Sequence, residues 1–227
     1  MQCVILAAGK GTRLGSLTKN TPKPLVKVSG KPLLDYVVEV LPESITELVI
    51  VTGYLEDQIK DYCGEEYCGK KVTYVTQKEQ KGTAHALWLC KDILKGRFLY
   101  MFADDIHGKE DILNVTSHPR AILTYATDTP ERFGIAFCHP DGTLEKIIEK
   151  PKNSPSNLAS TGVMVLDDNI FKFELKEEKN GEYYLPDVIE EYAKDYPIAV
   201  VEQSLWIPVG YPEDIEKAEN ILFAGEK

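Results

Sequence analysis

Residues 3–15 read CVILAAGKGTRLG, an apolar run that ends in a loop carrying three glycines, a lysine and an arginine. A short apolar run followed at once by glycines predicts a strand buried on both faces that stops at a loop. Glycine reaches backbone conformations and ligand distances that a Cβ would block. Such a loop turns backbone N–H groups toward an anion, and Lys10 and Arg13 place positive charge where those groups point. On glycine spacing alone, a tight strand-to-helix turn with solvated charges explains the stretch equally well.

The rest of the first half repeats the pattern. CVILA, LVIVT and FLYMF are apolar runs of strand length, while PLLDYVVEVL and TAHALWLCKDIL have helical periodicity and length. Right-handed crossovers between such strands build a mostly parallel sheet whose ligands bind outside the carboxyl ends of the strands. In the second half AILTYA, GIAFC, LEKIIE and GVMVL follow one another with the turn HPDG between two of them, which predicts antiparallel additions. LPDVIEEYAKD and PEDIEKAENILF read as helices, with Pro212 at the first helical position of the second. The loop Pro151–Asn157 (PKNSPSN) is too short for a domain linker and reads as a flexible flap. The expected fold is α/β: a single-domain, Rossmann-like mixed sheet, parallel in its N-terminal half, antiparallel in its additions and covered by helices on both faces.

Composition narrows the function classes. A chain of 227 residues with 43% hydrophobic content has ample material for a core. No apolar run approaches the roughly 20 residues of a membrane span. The start lacks a signal peptide, so a cytoplasmic protein without membrane association is expected. The net charge of −10 argues against nucleic acid as a partner, since phosphate-backbone affinity needs surplus Lys and Arg. The five cysteines are odd in number and scattered, which suits reduced thiols, and Cys63 and Cys68 in CGEEYC read as a surface turn rather than a metal site.

Two familiar phosphate loops fail on spacing. No Gly-Lys pair is followed by Ser or Thr, and Leu14 stands where a dinucleotide fingerprint needs its third glycine. LAAGKGTRL at Leu6–Leu14 with TPKPL at Thr21–Leu25 instead resembles the sugar nucleotidyltransferase family, the nucleoside-diphosphate-sugar pyrophosphorylases. QKEQKGTAHAL, DD, FG, EKP, TGV, GEYYLPD and W-x-x-V-G-x-P-E-D carry the resemblance over nearly the whole chain.

The resemblance implies transfer of a nucleoside monophosphate from a nucleoside triphosphate, UTP or dTTP, to a sugar 1-phosphate with release of pyrophosphate. It assigns catalysis to Arg13, Lys23 and Asp104, with Asp104 also binding Mg²⁺. Nucleotide contacts fall to Leu6, Ala8, Gly9, Gly11, Thr12, Gln77, Gly82 and Thr83, and sugar-phosphate contacts to Gly134, Glu149, Lys150 and Thr161, with Gly162 closing that pocket. Residues 1–115 would then serve mainly the nucleotide and 116–227 mainly the acceptor. The residue types agree. The Gln77 amide can donate to and accept from a pyrimidine edge, Gly82 leaves room for a base, and Thr83 can cap a helix running to Leu94, in which His85 is structural. Paired carboxylates at a strand end suit a hard cation, although Asp105 read alone is a helix N-cap.

One departure stands out. The family places a second metal-binding Asp two residues after the Trp, where this chain has Pro208; Asp214 is a nearby acid that could substitute. The departure leaves two other readings open: a catalytically silent nucleotide-sugar-binding regulatory subunit, or a transferase for a non-sugar phosphorylated alcohol such as phosphocholine. Neither the sugar nor the oligomeric state is specified.

Overall fold

In the computed structural model, which describes residues 1–225, the opening apolar run becomes strand β1 (Gln2–Leu6). The last two residues of the expected domain lie outside the described chain. After β1 come the ribbon strands β2 (Lys27–Val28) and β3 (Lys31–Pro32), helix α1 (Leu33–Glu39), β4 (Glu47–Thr52), α2 (Glu56–Cys63), β5 (Glu66–Tyr67), β6 (Lys70–Thr76), α3 (Gly82–Trp88) and β7 (Arg97–Phe102). The second half contributes β8 (Asp105–His107), α4 (Lys109–Ser117), β9 (Ala121–Ala126), β10 (Gly134–Cys138), β11 (Leu144–Glu149), β12 (Leu158–Asp167), α5 (Leu185–Asp195), β13 (Ala199–Glu202), β14 (Trp206–Pro208) and α6 (Pro212–Gly225).

Strands β6, β4, β1 and β7 lie side by side and parallel. The ten-residue β12 joins β7 antiparallel and carries β10, β11 and β9 into the same sheet. β13, which lies outside the four runs read as strands in the second half of the sequence, runs parallel to β9. Because side chains alternate across a strand, each face of the sheet gathers its own core. Val4, Val49, Val51, Phe98 and Tyr100 pack under α3 and α5. Cys3, Ile5, Leu48, Ile50, Leu99 and Met101 pack under α1, α2 and α4. Helices on both faces were the expectation.

Chain direction locates the crevice. The first crossovers run from β1 to β4 to β6, and the chain then returns to place β7 on the other side of β1. The carboxyl ends of β1 and β7 therefore flank the point where strand order reverses, the position at which open α/β sheets bind ligands. A small third core of Leu14, Val26, Ile106, Ile207, Val209 and Ala218 fastens α6 and the β8–β14 ribbon to the glycine loop.

Two local expectations need correction. The helix predicted to run to Leu94 ends at Trp88 and continues as turns, with Cys90 N–H donating to Leu87 O and Ile93 N–H to Cys90 O. Cys63 is not on a surface turn: it ends α2 and is buried, while Cys68 occupies the exposed turn with φ 50°. No helix among the described residues is long and apolar enough to cross a membrane.

Candidate active site

The glycine loop leaves β1 at Leu6, whose carbonyl accepts the Ala103 N–H from beyond β7. Ala8 is buried, and its carbonyl accepts the Tyr54 N–H and the Gln80 side-chain amide. Gly9 has no atom within 4 Å of where a Cβ would stand, so its surface is open to a ligand. Gly11 is different. Its φ is +62°, and a Cβ there would stand 2.9 Å from the Cβ of Lys23. That close approach brings the Thr21–Leu25 segment against the loop, and the Thr18 hydroxyl secures it by donating to Gly11 O at 2.9 Å. Thr12 is exposed on the same loop.

Lys23 Nζ, presented between two prolines, pairs with Asp104 Oδ2. The lysine side chain is 11% exposed and the aspartate 26%, so the pair is partly withdrawn from water at the end of β7. Two of the three expected catalytic residues thus meet directly. Arg13 stands nearby with its guanidinium over the Tyr211 ring, 5.4 Å from the centroid.

Asp105 is not a helix cap. It is buried in β8 and accepts the Trp206 indole N–H at 3.0 Å. Burial pushes its carboxyl above the ordinary carboxylate range, and the charge of Asp104 adds to the rise. Pro208 lies directly opposite Asp105 in the β8–β14 ribbon, so the departure found in the sequence sits beside the Asp104 site. Asp214 does not replace the missing carboxylate. Its Oδ2 accepts the N–H groups of Gly210 and Tyr211, which holds the turn before α6. No cluster of three or more His, Cys, Asp or Glu suited to a metal occurs among the described residues. The donor set therefore fits Mg²⁺ held by Asp104 together with water and substrate phosphate, rather than in a cage built by the protein.

On the base side the structure refines the expectation. Both N–H groups of the Gln77 amide are used inside the chain, donating to Gly82 O at 3.1 Å and His85 Nδ1 at 3.0 Å. Gln77 is thus left with Oε1, an acceptor. Gly82 does not open space for a base on its Cα side. With φ +89°, a Cβ there would stand 2.4 Å from Tyr183 O, so the glycine admits the backbone of the GEYYLPD segment. Thr83 does not cap α3; its hydroxyl accepts the Leu185 N–H at 3.1 Å. The sequence reasoning missed Gly53, Tyr54 and Gln80, which line a cleft with Lys10 and Gln77. The signal was available: Gly53 follows the apolar run of β4 just as Gly9 follows β1.

On the acceptor side Gly134, Glu149 and Lys150 come together. Gly134 pairs with Glu149 across β10 and β11, a Cβ on it would stand 3.1 Å from Glu149 Oε2, and Lys150 Nζ lies 3.5 Å from Glu149 Oε1. Both charged side chains are more than half exposed and free to meet a polar ligand. Thr161 is not among them. It is 1% exposed and its hydroxyl donates to Leu123 O, while Gly162 makes room for the Phe102 ring. Trp206 joins the two sides, bonded to Asp105 and edge-on to Phe133 at 4.9 Å between centroids.

A family model described as nucleotidyl transferase matches residues 2–224. The UTP–glucose-1-phosphate uridylyltransferase AglF of Haloferax volcanii is 35% identical over 98% of this chain and 96% of its own length. The bifunctional protein GlmU of Methanococcus maripaludis is 31% identical over 97% of this chain, which spans 54% of that protein. Among solved structures, a UDP-glucose pyrophosphorylase complexed with UDP-glucose superposes with a TM-score of 0.85 at 26% identity, covering 99% of this chain and 98% of the other. A Bacillus anthracis protein in complex with a sucrose, carrying a provisional assignment as a glucose-1-phosphate thymidylyltransferase, gives 0.87 at 30% identity, over 97% and 95% of the two chains. With the glycine loop, Lys23 and Asp104 gathered at one crevice and the match running almost end to end, this chain belongs to the nucleotidyl transferase family.

Proposed function

We propose that the chain moves a nucleoside monophosphate from UTP or dTTP to a sugar 1-phosphate and releases pyrophosphate. The observation that carries this reading is the meeting of Lys23 and Asp104 beneath the glycine loop, where the strand order reverses. An oxygen of the acceptor phosphate attacks the α-phosphorus in line as the bond to the β-phosphate oxygen breaks. The protein's task is to hold two anions together and to offset the charge that develops.

The loop from Gly9 to Thr12, with Arg13, receives the β- and γ-phosphates. Lys23 exchanges its Asp104 partner for the α-phosphate, and Asp104 would hold Mg²⁺. Mg²⁺, when bound, supplies charge neutralisation across the phosphates. Gln77 Oε1 accepts the imide N–H of a pyrimidine, and Glu149 and Lys150 beside Gly134 receive the sugar hydroxyls and the acceptor phosphate. Residues 1–115 serve mainly the nucleotide and residues 116–227 mainly the acceptor, and the reaction is placed in the cytoplasm. The relatives named for UTP, UDP-glucose and glucose 1-phosphate, and the one named for thymidylyl transfer, support a uridine or thymidine donor and a hexose acceptor.

Purified protein supplied with Mg²⁺, each of the nucleoside triphosphates and a panel of sugar 1-phosphates is expected to release pyrophosphate with UTP or dTTP. Arg13→Ala should lower that rate by roughly a hundredfold or more through loss of a charge-assisted phosphate contact, with the fold intact. Near-normal turnover by Arg13→Ala would remove the triphosphate from this loop. Pro208 favours a second reading. If no pair releases pyrophosphate while a nucleotide sugar still binds, the chain is a silent nucleotide-sugar-binding subunit.

A further inference from the structure

The chain has four arginines. Arg97 donates to the carbonyls of Thr116 and His118, and Arg120 pairs with Asp167. The side chains of Arg13 and Arg132 make no hydrogen bond or ion pair among the described residues; the Arg132 guanidinium lies 5.7 Å from the centroid of the Phe133 ring, and both guanidiniums also lie over the ring of Tyr211. The Arg13 guanidinium lies 5.4 Å from the centroid of the Tyr211 ring and that of Arg132 lies 6.0 Å from it. Arg13 belongs to the glycine loop, whereas Arg132 ends the short helical turn Pro130–Arg132, two residues before Gly134 of the acceptor side.

An aromatic face attracts a guanidinium, but two guanidiniums on one ring repel each other. A carboxylate between them would relieve that repulsion, and among the described residues none pairs with either guanidinium. Asp214, on the same turn as Tyr211, is occupied by the Gly210 and Tyr211 N–H groups and by Lys217. That arrangement fixes the Tyr211 backbone, and among the described residues neither guanidinium is paired with a carboxylate. A dianion between them would meet planar donors, which suit the oxygens of a phosphate.

We propose that Arg132 is a phosphate-binding residue for the acceptor, taking the phosphate monoester of the sugar 1-phosphate, and that Tyr211 is a positioning residue that holds Arg132 opposite Arg13. The inference rests on the transferase reading above and adds to it a phosphate ligand and the spacer that sets its place. Steady-state kinetics with UTP and glucose 1-phosphate test it. Arg132→Ala should raise KM for glucose 1-phosphate at least tenfold while KM for UTP changes less than twofold. Tyr211→Ala should raise KM for glucose 1-phosphate as well, and Tyr211→Phe, which keeps the ring, should restore most of it.

Calorimetric titration with glucose 1-phosphate, in the presence of a non-cleavable UTP analogue, gives a readout independent of turnover. Binding should weaken by a similar factor in Arg132→Ala. An active parent protein whose Arg132→Ala variant keeps its KM and its affinity for glucose 1-phosphate overturns the inference and leaves the transferase reading standing. A rise in the KM for UTP alone overturns it too, since Arg132 would then serve the triphosphate. A parent protein that neither turns over nor binds any sugar 1-phosphate overturns both.

Discussion

His107 shows how far burial alone governs one side chain. It lies 2% exposed on β8, its Nδ1 beside Gln203 Oε1 at 3.1 Å and its Nε2 without a partner among the described residues. Burial lowers its basicity to about 4 from an ordinary value of 6.5, against the smaller opposing influence of Gln203, Asp104 and Asp111. The folded chain therefore keeps the imidazole neutral where the unfolded chain protonates it. Between pH 6.5 and about 4 the unfolded state binds the extra proton, so stability falls as pH falls through that window, by about 3 kcal/mol in full. Chemical denaturation at several pH values should show a shallower acid loss for His107→Asn than for the parent. Parallel pH profiles of the two proteins would mean that His107 titrates normally in the fold.

Glycines of the same crevice do different work according to the element they join. Gly82 opens α3 at φ +89°, and the Tyr183 backbone occupies the place of a Cβ; Gly9, on the loop after β1, faces nothing within 4 Å. Gly82→Ala should cost about 2 kcal/mol or more through backbone strain and displacement of Tyr183, read as a fall in Tm. Gly9→Ala should leave Tm within about a degree or two and raise KM for the nucleotide, because only a ligand comes near it. Equal Tm losses in both variants would contradict this division.

The contrast also marks what could be read from the sequence. The parallel core, the glycine loop, Lys23, Asp104 and the Glu149–Lys150 corner follow from local pattern and from motif. The local reasons offered for Gly82 and Thr83, room for a base and a helix cap, fail because their partners, Tyr183 and Leu185, lie about a hundred residues on, and no local signal announces that docking. Asp105 went astray for the same reason: its partner Trp206 arrives only through the β8–β14 ribbon.

At the scale of the molecule, those long-range partners interlace the N-terminal and C-terminal halves of the chain. β12 from the second half pairs with β7 of the first, α6 packs on the glycine loop through Leu14 and Ala218, and β14 returns to β8. A half removed from its partner loses sheet hydrogen bonds as well as apolar contacts, so the two should unfold as one cooperative unit. The two tryptophans offer separate reporters of this. Trp88 ends α3 and meets Phe171 edge-on at 5.3 Å, whereas Trp206 sits against Phe133 and Asp105. In Trp88→Phe the remaining fluorescence comes from Trp206, and in Trp206→Phe it comes from Trp88. Each variant's fluorescence transition in denaturant should coincide with its own far-ultraviolet circular dichroism transition. Trp206→Phe should have the lower midpoint, because it leaves the buried Asp105 carboxyl without its indole donor, a loss of about 1–3 kcal/mol. Trp206 fluorescence that changes well before the circular dichroism of the same protein would show the C-terminal half opening alone. The interlaced sheet would then not be the unit of folding.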